Sequence, residues 1–143
     1  MFPQSDTFYR VPAGRLKLRR EGPGAGELNF YERPDVGGPK MSSYFVTSVS
    51  DPTALDLVLA AALGRAGEVV KTRELSLVGR TRIHLDDVTG LGLFIEIEVV
   101  LARDDDPSAG EREAWSLIQR LGIASTDLVA TAYVDLLTAR TNC

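Results

Sequence analysis

Charged and polar side chains recur at every second position in five separate segments of this chain, and that spacing constrains its fold more than any other feature. Arg15, Lys17 and Arg19 alternate with Leu16 and Leu18. Glu27, Asn29, Tyr31 and Arg33 repeat the spacing, as do Lys71 and Arg73, then Arg80, Arg82, His84 and Asp86. Glu96 and Glu98 close the series, with Ile95, Ile97 and Val99 between and beside them. Successive side chains of a β-strand face opposite sides, so period two collects each set on one face. Strand by strand, such faces read as solvated outer surfaces. Two amphipathic helices elsewhere in the chain need an apolar surface to pack on, and the Leu and Ile faces supply it. Helices outside direct the charges inward, which predicts an antiparallel barrel with a charged lumen.

The remaining elements follow from turn and cap signals. Short strands at 6–11 and 14–20 break at Pro12-Ala13-Gly14, and the GPGAG run at 22–26 turns the chain into a third strand, Glu27 to Arg33. A fourth strand at 41–49 follows the Pro34 to Pro39 loop. Asp51-Pro52 caps a helix carrying Leu55, Val58, Leu59 and Ala62, closed by Gly64. Strands are expected at Glu68 to Val78, Arg80 to Asp87 and Leu93 to Leu101. Asp106-Pro107 opens a second helix with Ala114, Trp115, Ile118 and Leu121 on one face, stopped by Gly122, and a last strand is expected at Tyr133 to Leu137. Strands that do not alternate regularly with helices favour a β-rich α+β class over a parallel α/β sheet.

Length and composition narrow the function. With 143 residues, 44% hydrophobic and 25% charged, the chain fits a single domain spanning 1–143. No apolar run approaches the roughly 20 residues of a membrane span, and MFPQSDTFYR lacks the order of a signal peptide, so the expected compartment is cytoplasmic, with no membrane partner. One cysteine, Cys143, excludes an internal disulfide framework and a multi-thiolate metal site. A net charge of −4 gives no bulk field for nucleic acid, and no aromatic platform accompanies the basic strand at 15–20.

The chemistry expected of a charged lumen is the binding of a small anion, because clustered Lys and Arg in a partly desolvated space hold phosphate oxygens strongly. Asp86, Glu96 and Glu98 could supply oxygen ligands to Mg²⁺ or Mn²⁺ between them and the phosphates. GPGAG lacks the Gly-Lys-Ser/Thr ending of a phosphate loop and leads into a strand, so it reads as a hairpin turn. Trp115 reads as a helix anchor in the core, the Asp104 to Asp106 run as a solvated loop that caps the second helix, and His84 as a hydrogen-bonded strand residue.

The segments QSDTFYRVPAGRLKLRR, LNFYERPD with GPK following, VVKTRELSLVGRTRIHLDDVTGLGLFIEIEVVL and YVDLL together resemble the CYTH superfamily of triphosphate tunnel proteins, which includes class IV adenylate cyclases and thiamine triphosphatases. The most specific stretch runs from Lys71 to Glu98. The resemblance implies a tunnel barrel in which Arg15, Lys17, Arg19, Arg33, Lys71, Arg73 and Arg82 grip phosphate, while Glu96 and Glu98, with Asp86 as a weaker candidate, hold metal. One departure stands out. The family's first strand, Glu-x-Glu-x-Lys, has no counterpart in MFPQSDTFYR, so the metal site is expected to be incomplete and an unpaired barrel edge is expected to recruit a second copy as a homodimer.

Three functions follow from this reading. One is a metal-dependent enzyme of the adenylate cyclase or triphosphatase type, with Glu96 and Glu98 in the site. Another is a repurposed metal-free cyclase or isomerase in which His84, Tyr31 and the glutamates move protons. The third is a non-catalytic ligand-binding module.

Overall fold

The computed structural model describes residues 1–32 and 38–142. Arg33 and Cys143 lie outside the described residues. Seven antiparallel strands form one curled sheet, a half-barrel, in the order β4-β3-β2-β1-β5-β6-β7. They are β1 (Phe2–Tyr9), β2 (Arg15–Arg20), β3 (Gly26–Glu32), β4 (Ser43–Val49), β5 (Arg65–Val78), β6 (Thr81–Val88) and β7 (Gly92–Val99). Two meanders, β2 to β4 extending from one side of β1 and β6 to β7 extending from β5, join through β1–β5 pairing. This is the β-rich α+β class expected of strands that do not alternate regularly with helices.

The first strand starts earlier than its turn signals suggest, at Phe2 instead of residue 6, which brings Gln4 into the sheet. Register then decides which side chains share a face. Asp6 stands opposite Arg19, Lys17 opposite Asn29, Arg73 opposite Asp86, His84 opposite Glu96 and Arg82 opposite Glu98. The alternating charges therefore fall together on one face of the curled sheet. Arg80 is the exception: it sits in the β5–β6 turn and pairs with Asp105 and Glu113 instead.

Helix α1 (Pro52–Leu63) packs on the opposite face. Its N-cap Asp51 accepts a hydrogen bond from the Ala54 amide, and Gly64 ends it with a φ of 82°, a conformation that costs glycine little. Asp56 ties α1 to the sheet, accepting from Tyr9 Oη at 2.7 Å and from Arg65 at 2.7 and 3.1 Å. Helix α2 (Pro107–Arg120) contacts β7, buries Gly110, Ala114, Leu117 and Ile118, and is capped by Asp106 as the Asp-Pro signal predicts. Trp115 is not a core anchor. It is 38% exposed and lies against Gly38, and Leu121 is likewise exposed.

The segment expected as a last strand is instead helix α3 (Tyr133–Thr141). It docks on the charged face of the sheet, where Val134 joins Phe8, Val69, Val88 and Ala132 in a buried cluster flanked by Phe94 and Leu137. Two helices thus meet the expectation of packing outside the charged face, and the third occupies one end of that face. Gly67 makes the docking fit, since a Cβ there would come within 2.7 Å of Val134. Among the described residues no helix is long and apolar enough to cross a membrane.

Candidate functional site

Next to the α3 cluster, the concave face carries ionic groups that solvent barely reaches. Asp6, Lys71, Arg73, His84 and Asp86 are each 6% exposed or less. Burying isolated charges is prohibitively costly, so their pairing determines what the site can do. Arg19 holds both oxygens of Asp6, at 2.7 and 2.8 Å, and Arg73 holds both oxygens of Asp86, at 2.6 Å each, while also reaching Glu96 at 3.2 Å. These fork-to-fork arginine pairs are strong and directional. The two lysines are placed differently. Lys17 Nζ lies 3.6 Å from Asp6, and Lys71 Nζ lies 3.9 Å from Asp6 and 3.8 Å from Asp86, all beyond hydrogen-bonding distance.

The electrostatic consequences follow from burial. Desolvation pushes Lys71 down to about 8 despite the carboxylate of Asp6, and lowers Lys17 in the same way. Asp6 goes the other way: burial alone would raise it, but Arg19, Lys17 and Lys71 together hold it at about 2. Burial also opposes ionisation of Glu96, yet the neighbouring His84 ring, Arg73 and Lys71 keep its carboxyl well below the usual range.

An aromatic wall completes the cluster. Tyr133 of α3 donates its hydroxyl to Asp86 Oδ2 at 3.0 Å, stacks at a tilt on Phe94 with centroids 5.0 Å apart, and presents its ring to Lys71 Nζ at 5.3 Å. Burial and the adjacent Glu96 and Asp86 push the Tyr133 hydroxyl well above the ordinary tyrosine range, so it stays a donor. Tyr31 takes the equivalent place beside Lys17, 5.2 Å from its ammonium.

Most residues expected at the site converge here: Lys17, Arg19, Lys71, Arg73, Asp86, His84, Glu96 and Tyr31. Arg15 and Arg82 sit nearer its margins, paired with Asp135 of α3 and, at 3.6 Å, with Glu98. The expected set missed Asp6, Gln4, Asn29 and Tyr133. Asp6 and Gln4 had a signal, since Gln4, Asp6 and Phe8 continue the period-two spacing. Tyr133 had none, because its contact depends on α3 folding back.

The donor set does not suit the divalent metal that the resemblance implies. Among the described residues no group of three or more His, Cys, Asp or Glu side chains is placed to hold a metal ion. Both Asp86 oxygens are taken by Arg73, and Tyr133 donates to one of them; Glu96 is engaged by Arg73. A separate cleft beside α3, lined by Leu91, Phe94, Val129, Leu136, Ala139 and Arg140, is apolar and lacks the convergent polar groups of a reactive site.

Comparison with known proteins bears on the same arrangement. A model of the CYTH domain matches residues 2–133. The chain belongs to the CYTH domain family. The PH1012 protein of Pyrococcus horikoshii OT3 superposes with a TM-score of 0.81 at 23% identity, over 94% of this chain and 82% of that one. A conserved hypothetical protein of Pyrococcus furiosus gives 0.82 at 21% over the same shares, and a Vibrio parahaemolyticus protein provisionally named an adenylate cyclase gives 0.74 at 22%, over 96% and 80%. At these identities the likeness of this CYTH chain to the solved structures is one of fold. Comparison with curated proteins gives no match.

Proposed function

We propose that the concave face binds a small phosphate-bearing anion through Lys17, Lys71, Arg19 and Arg73. The observation that carries this reading is the pair of lysines, Lys71 buried and Lys17 partly buried, whose ammonium groups stand 3.6 to 3.9 Å from the carboxylates of Asp6 and Asp86. A buried ammonium has three donors and gains most from an acceptor at hydrogen-bonding distance, where a phosphate oxygen would shorten and strengthen the contact. The arginines, already oriented by Asp6 and Asp86, supply directional N–H groups on either side. Membership of the CYTH family and the provisional name of the Vibrio neighbour, an enzyme class acting on a nucleotide, agree with a phosphate ligand. Because the carboxylates are committed to cations, binding is expected to proceed without a divalent ion.

Calorimetric titration with orthophosphate and phosphate esters in EDTA tests this. Saturable binding, weakened about tenfold or more by Lys71→Met, is the expected result, since one lost charge-assisted hydrogen bond is worth roughly that much. Absence of binding to every phosphate anion would refute the proposal.

His84 favours a second reading, proton transfer on the bound anion without metal. Its Nδ1 is buried with no hydrogen-bond partner among the described residues and lies 3.9 Å from Glu96 Oε1. A histidine beside a carboxylate can serve as acid or base. Turnover of a phosphate ester in EDTA that disappears in His84→Gln would support it, and a protein that binds without converting any ester would leave binding alone.

A further inference from the structure

Among the described residues the charge of the site is nearly self-cancelling. At its centre Lys17, Arg19, Lys71 and Arg73 face Asp6, Asp86 and Glu96, four cations against three carboxylates. Towards the margins Arg15 faces Asp135, Arg82 faces Glu98, and Glu27 stands opposite Arg19 in the register. A phosphomonoester carries about −1.5 to −2 at neutral pH, and a triphosphate carries more. With no three-ligand metal group among the described residues, a triphosphate would set its surplus charge beside the buried Asp6 and Asp86, where screening is weak and like charges repel strongly.

An independent observation concerns groups without charge. Gln4 Oε1, Asn29 Nδ2 and His84 Nδ1 are buried polar atoms with no hydrogen-bond partner among the described residues, and all three side chains belong to the charged face. Unmet buried polar atoms of this kind are rare and costly. The orientation of Gln4 is fixed, because its Nε2 donates to Glu21, whose carboxylate can only accept. Its Oε1 therefore needs a donor. The dianionic phosphate of an ester has none to give, whereas a hydroxyl or N–H on its organic group does.

We infer that the site is selective for a phosphomonoester whose organic part carries hydroxyl or N–H donors, and that it discriminates against triphosphate. This rests on the anion-binding reading above and narrows it. Asn29 Nδ2 and His84 Nδ1 then meet acceptors and donors of the same organic part, while the lysines and arginines hold a single phosphate.

The test is calorimetry on the full chain in EDTA with four probes: orthophosphate, ribose 5-phosphate, adenosine 5′-monophosphate and inorganic triphosphate. The expected result is that one of the two esters binds at least about tenfold more tightly than triphosphate and more tightly than orthophosphate. In Gln4→Leu the preferred ester should lose about fivefold while orthophosphate stays within about twofold, the scale of one hydrogen bond. Triphosphate binding as tightly as the esters overturns the inference and leaves anion binding standing. So does orthophosphate binding tightest, or a Gln4→Leu variant that weakens both anions alike. Failure of all four probes to bind overturns the inference and the anion-binding reading together. The four-probe comparison uses the unmodified protein and stands whatever the folding of the variant.

Discussion

Arg73 on β5 faces Asp86 on β6 and donates to it two parallel N–H···O bonds of 2.6 Å, with 5% and 1% of their surfaces open to solvent. Such a pair adds little over an apolar pair of the same shape, but removing one member strands the other. Arg73→Met should destabilise the fold by about 3–5 kcal/mol, because among the described residues Asp86 keeps only Tyr133 and the distant Lys71. Asp86→Asn should cost less, since Arg73 retains Glu96 at 3.2 Å. Urea unfolding of the two variants orders them, and equal losses would show that the pair is not the controlling contact.

Asp6 connects stability to acid. Its folded value of about 2 lies below the ordinary 3.8, so the unfolded chain takes up its proton first as pH falls. The contribution is complete above pH 4 and is lost as pH drops towards 2, an effect on the order of 2 kcal/mol. Asp6→Asn should remove that part of the acid transition in urea midpoints measured from pH 2 to 5. It should also raise the positive excess of the lumen and tighten triphosphate, so that stability falls while anion affinity rises.

Lys71 acts in the opposite sense. With its folded value lowered to about 8 from 10.5, the folded protein binds fewer protons than the unfolded chain between those limits. Stability from this group therefore increases with pH across that window, while anion affinity decreases above pH 8 as the ammonium is lost. Calorimetry at pH 8 in buffers of different ionisation heat should report proton uptake on phosphate binding, and Lys71→Met should abolish it.

Tyr133 separates a hydrogen bond from a ring. Tyr133→Phe keeps the contacts with Phe94 and Lys71 and should cost about 1.5–3 kcal/mol, the range for a bond to a charged acceptor. Tyr133→Ala also loses the wall between α3 and the sheet and should cost about 3–5 kcal/mol. Thermal and urea unfolding together distinguish the two, and identical losses would argue that the ring makes no contribution.

The alternation of Arg15, Lys17 and Arg19, and of His84 and Asp86 against Glu96 and Glu98, was sufficient to place these residues on a common face, because period two is a property of the strand itself. Which cation meets which anion was not legible. Arg73 is thirteen residues from Asp86 and twenty-three from Glu96, and its choice depends on register and burial. Helix α3 is not legible in the sequence for a related reason. YVDLL is a short apolar run that fits a strand or a helix equally well, and Val134 and Leu137, one turn apart, acquire meaning only against Gly67 and the β5 surface. The metal expectation rests on residue type alone, and the hydrogen bonds of Asp86 and Glu96 to Arg73, and of Asp86 to Tyr133, depend on register and on α3 and cannot be read from it.

The joining of the two meanders through β1 and β5 has a kinetic consequence. Hairpins β1–β2, β2–β3 and β5–β6 connect neighbours in the chain, but β1–β5 brings Ser5 against Val70 and Gln4 against Lys71, across more than sixty residues. Closing so long a loop is entropically slow, and this seam should be the late step of folding. Asp6 arrives with one meander and Lys71 with the other. The charge cluster therefore comes into being only as the seam closes, and salt or acid should alter the speed of folding as well as its endpoint.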